Sequence, residues 1–244
     1  MVDPQTKPSA IVFGARNLGR AIIRRLAAEG WAVAGAARSA ATLDGVREDG
    51  ALAIEADVTD PGSVRAALRR VADEHGGVDL AVNAAASYGG DRGGPFGGGP
   101  IAEAPLDAFD AWAAAPARSA FSFLSAGGAF MLAQGRPATL IQVTGGSARR
   151  AMPGRGLWAA GAFGTRAIAN AAALELRPHG IQVALLIVDA GIEPLSGALR
   201  PGASREELAD PALIADAVRF LADQGTRAAT HELVVTPLAE SWTP

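Results

Sequence analysis

The chain has 244 residues, a formal net charge of −3 and 49% hydrophobic residues. That length and apolar content support one sizeable core and exclude global disorder, and the charge balance offers nothing to nucleic acid or an anionic membrane surface. There is no cysteine, which excludes disulfides, a thiolate nucleophile and a Cys-ligated metal. His75, His179 and His231 are scattered without ligand spacing, so no metal site is expected. The polar start "MVDPQTKPSA" lacks a signal-peptide plan, and no apolar run reaches the roughly 20 residues of a membrane span. The expectation is a cytoplasmic protein with no nucleic-acid or membrane partner.

In chain order, "SAIVFGA" (9–15) reads as a buried strand ending in Gly14. "LGRAIIRRLAAEG" (18–30) places Leu18, Ile22 and Leu26 on one helical face and stops at Gly30. "WAVAGAA" and "ALAIEADV" are the second and third strands. The helix of "TDPGSVRAALRRVADEHGG" can be capped by Thr59 or Asp60, with Pro61 in its first turn. "VDLAVNAAA", "ATLIQVTGG", "GIQVALLIVDAG" and "HELVVTP" supply four more strands, with helices around 105–131, 156–177 and 210–224 between them. Alternation of helices with strands apolar on both faces predicts a single-domain α/β chain (1–244). Its core is a doubly wound parallel Rossmann-type sheet of about seven strands with helices on both faces. Two stretches break the rhythm: the Gly-rich "SYGGDRGGPFGGGP" (87–100) and "EPLSGALRPGASREELADP" (193–211), read as a flap over the site.

Nucleotides bind such sheets at the carboxyl ends of the strands. In the first turn, "FGARNLGRA", Gly14 and Gly19 let backbone approach a pyrophosphate seated on the N-terminus of the helix that begins at Leu18. The second strand ends at Ala37 and Arg38, with no carboxylate to hold a free ribose diol. Arg38 and Arg16 therefore favour a 2′-phosphate, and NADP(H) over NAD(H), unless both are simply solvated surface arginines. Asp57 can hydrogen-bond an adenine amino group, Val58 can pack beside it, and Asn83 with Ala84 and Ala85 lets backbone pass the ribose.

The order G-x-x-x-x-G, A-R-S, D-V-T-D-P, D-x-x-V-N-A-A and "LELRPHGIQV" resembles the short-chain dehydrogenase/reductase family over roughly residues 9–236. "THELVVTPLAESW" and "VDAGIE" (188–193) further resemble a divergent bacterial branch of it. The resemblance implies an oxidoreductase with a nicotinamide cofactor that also touches Val188 and Ile192, and a homodimer or homotetramer paired through the helices at 105–131 and 156–177. In the Gly turn, Asn17 stands where the family has its middle glycine, in a loop one residue short; Asn tolerates the left-handed conformation better than most residues.

Family members reduce a carbonyl with a Ser, a Tyr, a Lys and a helix Asn: the phenol donates the proton, the ammonium lowers its pKa and the hydroxyl holds the oxygen. Counting from "LEL" (174–176) puts the Lys position at Ala162 and the Tyr position at Trp158, within "GRGLWAAGAFGTRA" (154–167). "QVTGGSA" puts the Ser position at Gly145, and "FDAWAAAPARSAF" puts the Asn position at Pro116. Tyr88 is the chain's one tyrosine and Lys7 its last lysine, so no Tyr-x-x-x-Lys pair exists in any register. Substitutes in site-facing loops are Tyr88 as proton donor, Ser147 as the hydroxyl, Arg149 and Arg150 for an acidic substrate or as a solvated loop, and Asp189 as a base or a turn cap; Ser87 and Glu193 lie in the same loops. Trp158 either stacks on a planar substrate or nicotinamide, or fills the space of the lost pair. Three readings follow: an NADP(H)-dependent oxidoreductase acting on a small molecule that needs no strong acid, a non-catalytic cofactor-binding regulatory protein, or a non-redox isomerase or cyclase reusing the pocket.

Overall fold

The computed structural model describes residues 7–88, 94–202 and 204–240. Its seven-stranded sheet is parallel throughout, in the order β3-β2-β1-β4-β5-β6-β9. These strands are β1 (Ser9–Phe13), β2 (Ala32–Ala37), β3 (Leu52–Glu55), β4 (Leu80–Asn83), β5 (Ala138–Gly145), β6 (Ile181–Val188) and β9 (Glu232–Val235). The short β7 (Gly191–Ile192) and β8 (Leu208–Ala209) pair with each other in the segment read as a flap.

Alternation along each strand feeds two cores. Ala10, Val12, Leu80, Val82, Ile141 and Leu186 face α1 (Leu18–Ala28), α2 (Ala40–Glu48) and α7 (Pro211–Ala222). Ile11, Phe13, Ala81, Leu140, Leu185 and Ile187 face α3 (Pro61–His75), α5 (Ala115–Gln134) and α6 (Gly156–Leu176). Both faces of a parallel sheet are thereby taken out of water, at about 1.5–3 kcal/mol for each fully buried large aliphatic side chain. Asp60, rather than Thr59, caps α3, its carboxylate accepting the Gly62 and Ser63 N–H groups.

Two elements depart from expectation. The sequence reading passes over α2, which is short, carries Gly45 and buries only three residues; Ser39 caps it by accepting the Thr42 N–H. The expected helix around 105–131 starts with α4 (Leu106–Phe109), widens into a π turn over Asp110–Ala114 and continues as α5. Pro116 has no N–H and its ring crowds the carbonyl four residues back, so the backbone takes an i→i−5 bond instead, Ala115 N–H to Asp110 O. No helix among the described residues is long and apolar enough to cross a membrane.

Candidate functional site

The carboxyl ends of the parallel strands lie along one edge of the sheet, and the expected site residues from the loops that follow β1 to β6 lie there. Gly14 has φ +83, and a Cβ on it would stand 2.5 Å from Ala85 N and 2.8 Å from Ala84 C. A Cβ on Gly19 would overlap the Gly14 carbonyl. Both glycines are thus required by the protein's own backbone, which folds the first turn tightly onto the end of β4. Leu18 is buried in the core beneath, leaving its amide as its contribution to the turn.

Asn17 does not adopt the left-handed conformation expected of it. Its φ is −90 and it makes no side-chain cap on α1. Its side chain turns instead to the loop after β6: Nδ2 donates to Glu193 O at 3.0 Å and Oδ1 accepts the Leu195 N–H at 2.8 Å.

Beyond the ends of β2 and β3, the Arg38 side chain is 75% exposed and stands 3.7 Å from the Asp57 carboxylate. Burial pushes the Asp57 pKa up, but the Thr59 N–H and hydroxyl, both donating to Oδ1, and the nearby Arg38 outweigh it and hold the group below the usual carboxylate range. Arg16 is exposed on the first turn, and Val58 is buried. Asn83 points inward. Its Nδ2 donates to Gln142 Oε1 at 3.0 Å and Ser119 Oγ at 3.3 Å, and its Oδ1 accepts the Ala85 N–H. Ser87 donates to the same Ser119 hydroxyl at 2.8 Å. Asn83 therefore sets the path of residues 84–85 through this buried network rather than presenting its amide to the cleft.

The four positions assigned to family chemistry are brought together. A Cβ on Gly145 would lie 3.8 Å from Trp158 Cζ2, so the indole stands beside the open face of that glycine. Ala162, one turn further along α6, is 1% exposed in the core. Pro116 adjoins it through Gly161, where a Cβ would be 3.1 Å from Pro116 Cγ and 2.8 Å from the carbonyls of Trp112 and Ala113.

Around Trp158 stands a cluster that the sequence did not reveal. Tyr88, Phe96, Trp112 and Trp158 touch in every pairing, with centroids 5.0–6.1 Å apart. Tyr88 stacks parallel on Trp112, while Trp158 meets both edge-on, arrangements favoured by the ring quadrupoles. Arg155 lies over Phe96. Phe96 arrives on the Gly-rich stretch, of which residues 89–93 lie outside the described residues. The described part seals itself onto the start of α6: Gly97 has φ +87, and a Cβ there would be 2.9 Å from Arg155 Cα. Tyr88 therefore packs against two tryptophans.

Asp189 is not a turn cap. It is 5% exposed, pairs with Arg150 and crowds Gly146 so closely that a Cβ there would overlap its Oδ1. Arg150 is accordingly half-buried in an ion pair, whereas Arg149 is exposed; Ser147 lies half-buried in a 3-10 turn after β5. Glu193 pairs with Arg205 at 3.0 Å, Val188 is buried at the end of β6, and Ile192 sits in β7. Among the described residues, no group of His, Asp and Glu is placed to hold a metal.

The site thus has a Gly turn with exposed Arg16 after β1, Arg38 after β2 facing Asp57 after β3, and an aromatic cluster beside β5; it presents no tyrosine–lysine pair for proton transfer. A family model described as enoyl-(acyl carrier protein) reductase matches residues 12–236. The chain is 31% identical over 186 residues to a short-chain dehydrogenase/reductase of Hericium erinaceus, covering 72% of this chain and 71% of that one. A metagenomic short-chain oxidoreductase solved in complex with NADP is 25% identical, with TM-score 0.74 over 96% of this chain and 99% of that one. The 3-ketoacyl-(acyl-carrier-protein) reductase of Brucella melitensis, solved with NADH, is 23% identical, with TM-score 0.78 over 96% and 98%. The chain belongs to the short-chain dehydrogenase/reductase family.

Proposed function

We propose that this chain is an NADP(H)-binding member of its family whose catalytic half is degenerate, so that it binds the dinucleotide without reducing a carbonyl by the family's route. The observation that carries this reading is the aromatic cluster of Tyr88, Phe96, Trp112 and Trp158. Its Trp158 stands beside Gly145, where in this reading the reacting oxygen and its acid would meet. An indole N–H donates a hydrogen bond but is no usable acid near neutral pH. Losing general-acid catalysis costs about 10²–10⁴-fold, and the hydroxyl and ammonium positions are replaced as well. A cyclase or isomerase needs an emptied apolar cavity here, and the rings pack on one another instead.

The residues present fit the adenosine 2′-phosphate end. Arg16 and Arg38 would hold the phosphate, Asp57 the adenine amino group, and the amides of Asn17, Leu18 and Gly19 the pyrophosphate. The backbone of residues 84–85, 188 and 192 would line the remainder. When bound, NADPH would supply a hydride. An acceptor needing no protonated side chain, such as a quinone, is the one redox partner this arrangement leaves. Assembly as a homodimer or homotetramer is supported by the exposed apolar stripe of Phe163, Ala167, Ala171 and Leu174 along α6, and light scattering would measure it.

Calorimetric titration with NADPH and NADH tests the reading. NADPH should bind at least about tenfold tighter, and Arg38→Ala should erase most of that difference by removing one charge-assisted contact of about 1.5–3 kcal/mol. Absence of NADPH binding, or rapid NADPH oxidation by simple ketones, would refute it.

A further inference from the structure

The groove between α3 and α5 is walled by the smallest side chains. Ala72 on α3 and Ala129 and Ala133 on α5 offer one methyl group each, so the packed helices leave a cleft of about 540 Å³. That volume falls within the range of about 300–1,000 Å³ typical of small-molecule sites. Phe130, packed on the core beneath, forms the floor. Gly76 ends α3 in a left-handed cap, and a Cβ on it would meet nothing, so this end stays open. Gln134 lies at the same end, with its amide bonded to both backbone groups of Val78. The Gly76–Gly77 turn precedes β4. The groove therefore runs toward the amino ends of the strands, away from the edge that gathers Gly14, Asn83 and Gly145.

The charges along this groove lack partners. Arg65 and Arg69 line it one turn apart as exposed side chains, and neither makes an ion pair among the described residues. Their neighbour Arg70 pairs with Glu74, four residues on, at 3.1 Å. Arg69 has Asp73 at the same spacing and does not pair with it. Two like charges at i and i+4 repel each other on a helix, a cost that an anion bridging them would remove. Asp73 also lines the groove, so two arginines and one aspartate leave a single net positive charge, which one carboxylate balances. A guanidinium meets a carboxylate through parallel N–H···O bonds, and arginine stems cover apolar surface beside it. We propose that the α3–α5 groove binds a small carboxylic acid with an apolar tail. The head group bridges Arg65 and Arg69, and the tail lies along Ala72, Ala129 and Ala133 over Phe130.

Calorimetry on the full chain, without nucleotide, tests the groove with octanoate, acetate and octanol as probes. Octanoate should bind with a Kd of about 1 mM or tighter, and acetate and octanol at least about tenfold more weakly, since each keeps only one part of the contact. Arg65→Gln and Arg69→Gln together should weaken octanoate at least about tenfold, by removing both charge-assisted contacts. Ala133→Leu, which fills the channel, should weaken it at least about fivefold. Asp73→Asn should instead tighten it about two- to threefold, by removing the carboxylate that repels the ligand. All four side chains are exposed on helices, so the variants should keep the wild-type circular dichroism spectrum. Amide shifts on octanoate addition should map to residues 65–77 and 129–134. The site is overturned by no octanoate binding at about 10 mM, or by octanol binding as tightly as octanoate. Unchanged affinity in the double arginine variant, or shifts confined to the cluster of Tyr88, Trp112 and Trp158, overturns it equally.

Discussion

Gly145 and Gly146 are neighbours at the end of β5, yet an added methyl group should have opposite effects at the two. Gly145 has φ −97 and ψ 171, an extended conformation any residue adopts, and its Cβ would meet nothing closer than 3.8 Å. Gly145→Ala should therefore be neutral or stabilise by about 0.4–1 kcal/mol through the unfolded chain. At Gly146 the same methyl group would overlap Asp189 Oδ1 and Cγ. That carboxylate is buried and bound to Arg150, so it has no free volume to enter. Overpacking costs about 1–3 kcal/mol, and loosening a largely buried ion pair adds to it, giving about 2–4 kcal/mol. For a domain of this size, 1 kcal/mol moves Tm by about 2–4 °C. Thermal unfolding followed by circular dichroism should then show a loss of roughly 4–16 °C for Gly146→Ala and a change of at most about 4 °C for Gly145→Ala. A double-mutant cycle with Asp189→Ala isolates the cause: with the carboxylate gone, Gly146→Ala should cost little more. Equal losses at the two glycines, or additivity in the cycle, would refute the steric account.

Gly161→Ala should destabilise by about 1–3 kcal/mol in denaturant titration, because its Cβ would stand 2.8 Å from two backbone carbonyls of the π turn. Asp49 accepts from Arg20 and Arg24, and the Arg20 hydrogen bond above all, partly opposed by burial, lowers its pKa. A lowered folded-state pKa gives stability that is complete above the unfolded value of about 3.9 and is lost as pH falls through the folded value. Asp49→Asn should accordingly lower Tm at pH 7, by an amount equivalent to about 1–2 kcal/mol, and that deficit should shrink as pH falls through the folded-state value. Reinstating the family residues together, as Gly145→Ser, Trp158→Tyr, Ala162→Lys and Pro116→Asn, should give no ketone-dependent NADPH oxidation. Position 162 is a core site where a Lys ammonium is desolvated and driven neutral, and the Phe96 and Trp112 rings still occupy the pocket.

The sheet was legible because β1 carries the apolar run Ala10–Phe13 and β6 the run Val183–Val188, which two-sided burial explains. The helix α2 was not, since nine residues with a central glycine carry too little periodicity to stand out. At the site, Gly145, Trp158, Ala162 and Pro116 were placed by counting from a motif; in the fold Gly145 stands beside Trp158, and Pro116 beside Gly161, the neighbour of Ala162. What surrounds them was hidden. Tyr88 and Phe96 come from one loop and Trp112 and Trp158 from two helices, with no common spacing, and only the crossovers of the sheet bring them to one edge. The Asn17 contacts and the Arg150–Asp189 pair are hidden for the same reason: each joins chain segments dozens of residues apart or more, and side chains reaching across loops leave no period in the sequence.

The neck formed by β7 and β8 has a practical consequence. Chain that leaves at Ile192 returns at Leu208–Ala209 in direct register with it, one strand spacing away. Whatever lies between begins and ends at nearly the same point in space, so its length is decoupled from the sheet. Lengthening such a closed excursion carries an entropic cost that grows only as the logarithm of its length, each doubling adding about 0.6 kcal/mol. The tip near Gly197 is therefore a natural port for a fluorescent or affinity module, carried by a protein whose core does not register the insertion.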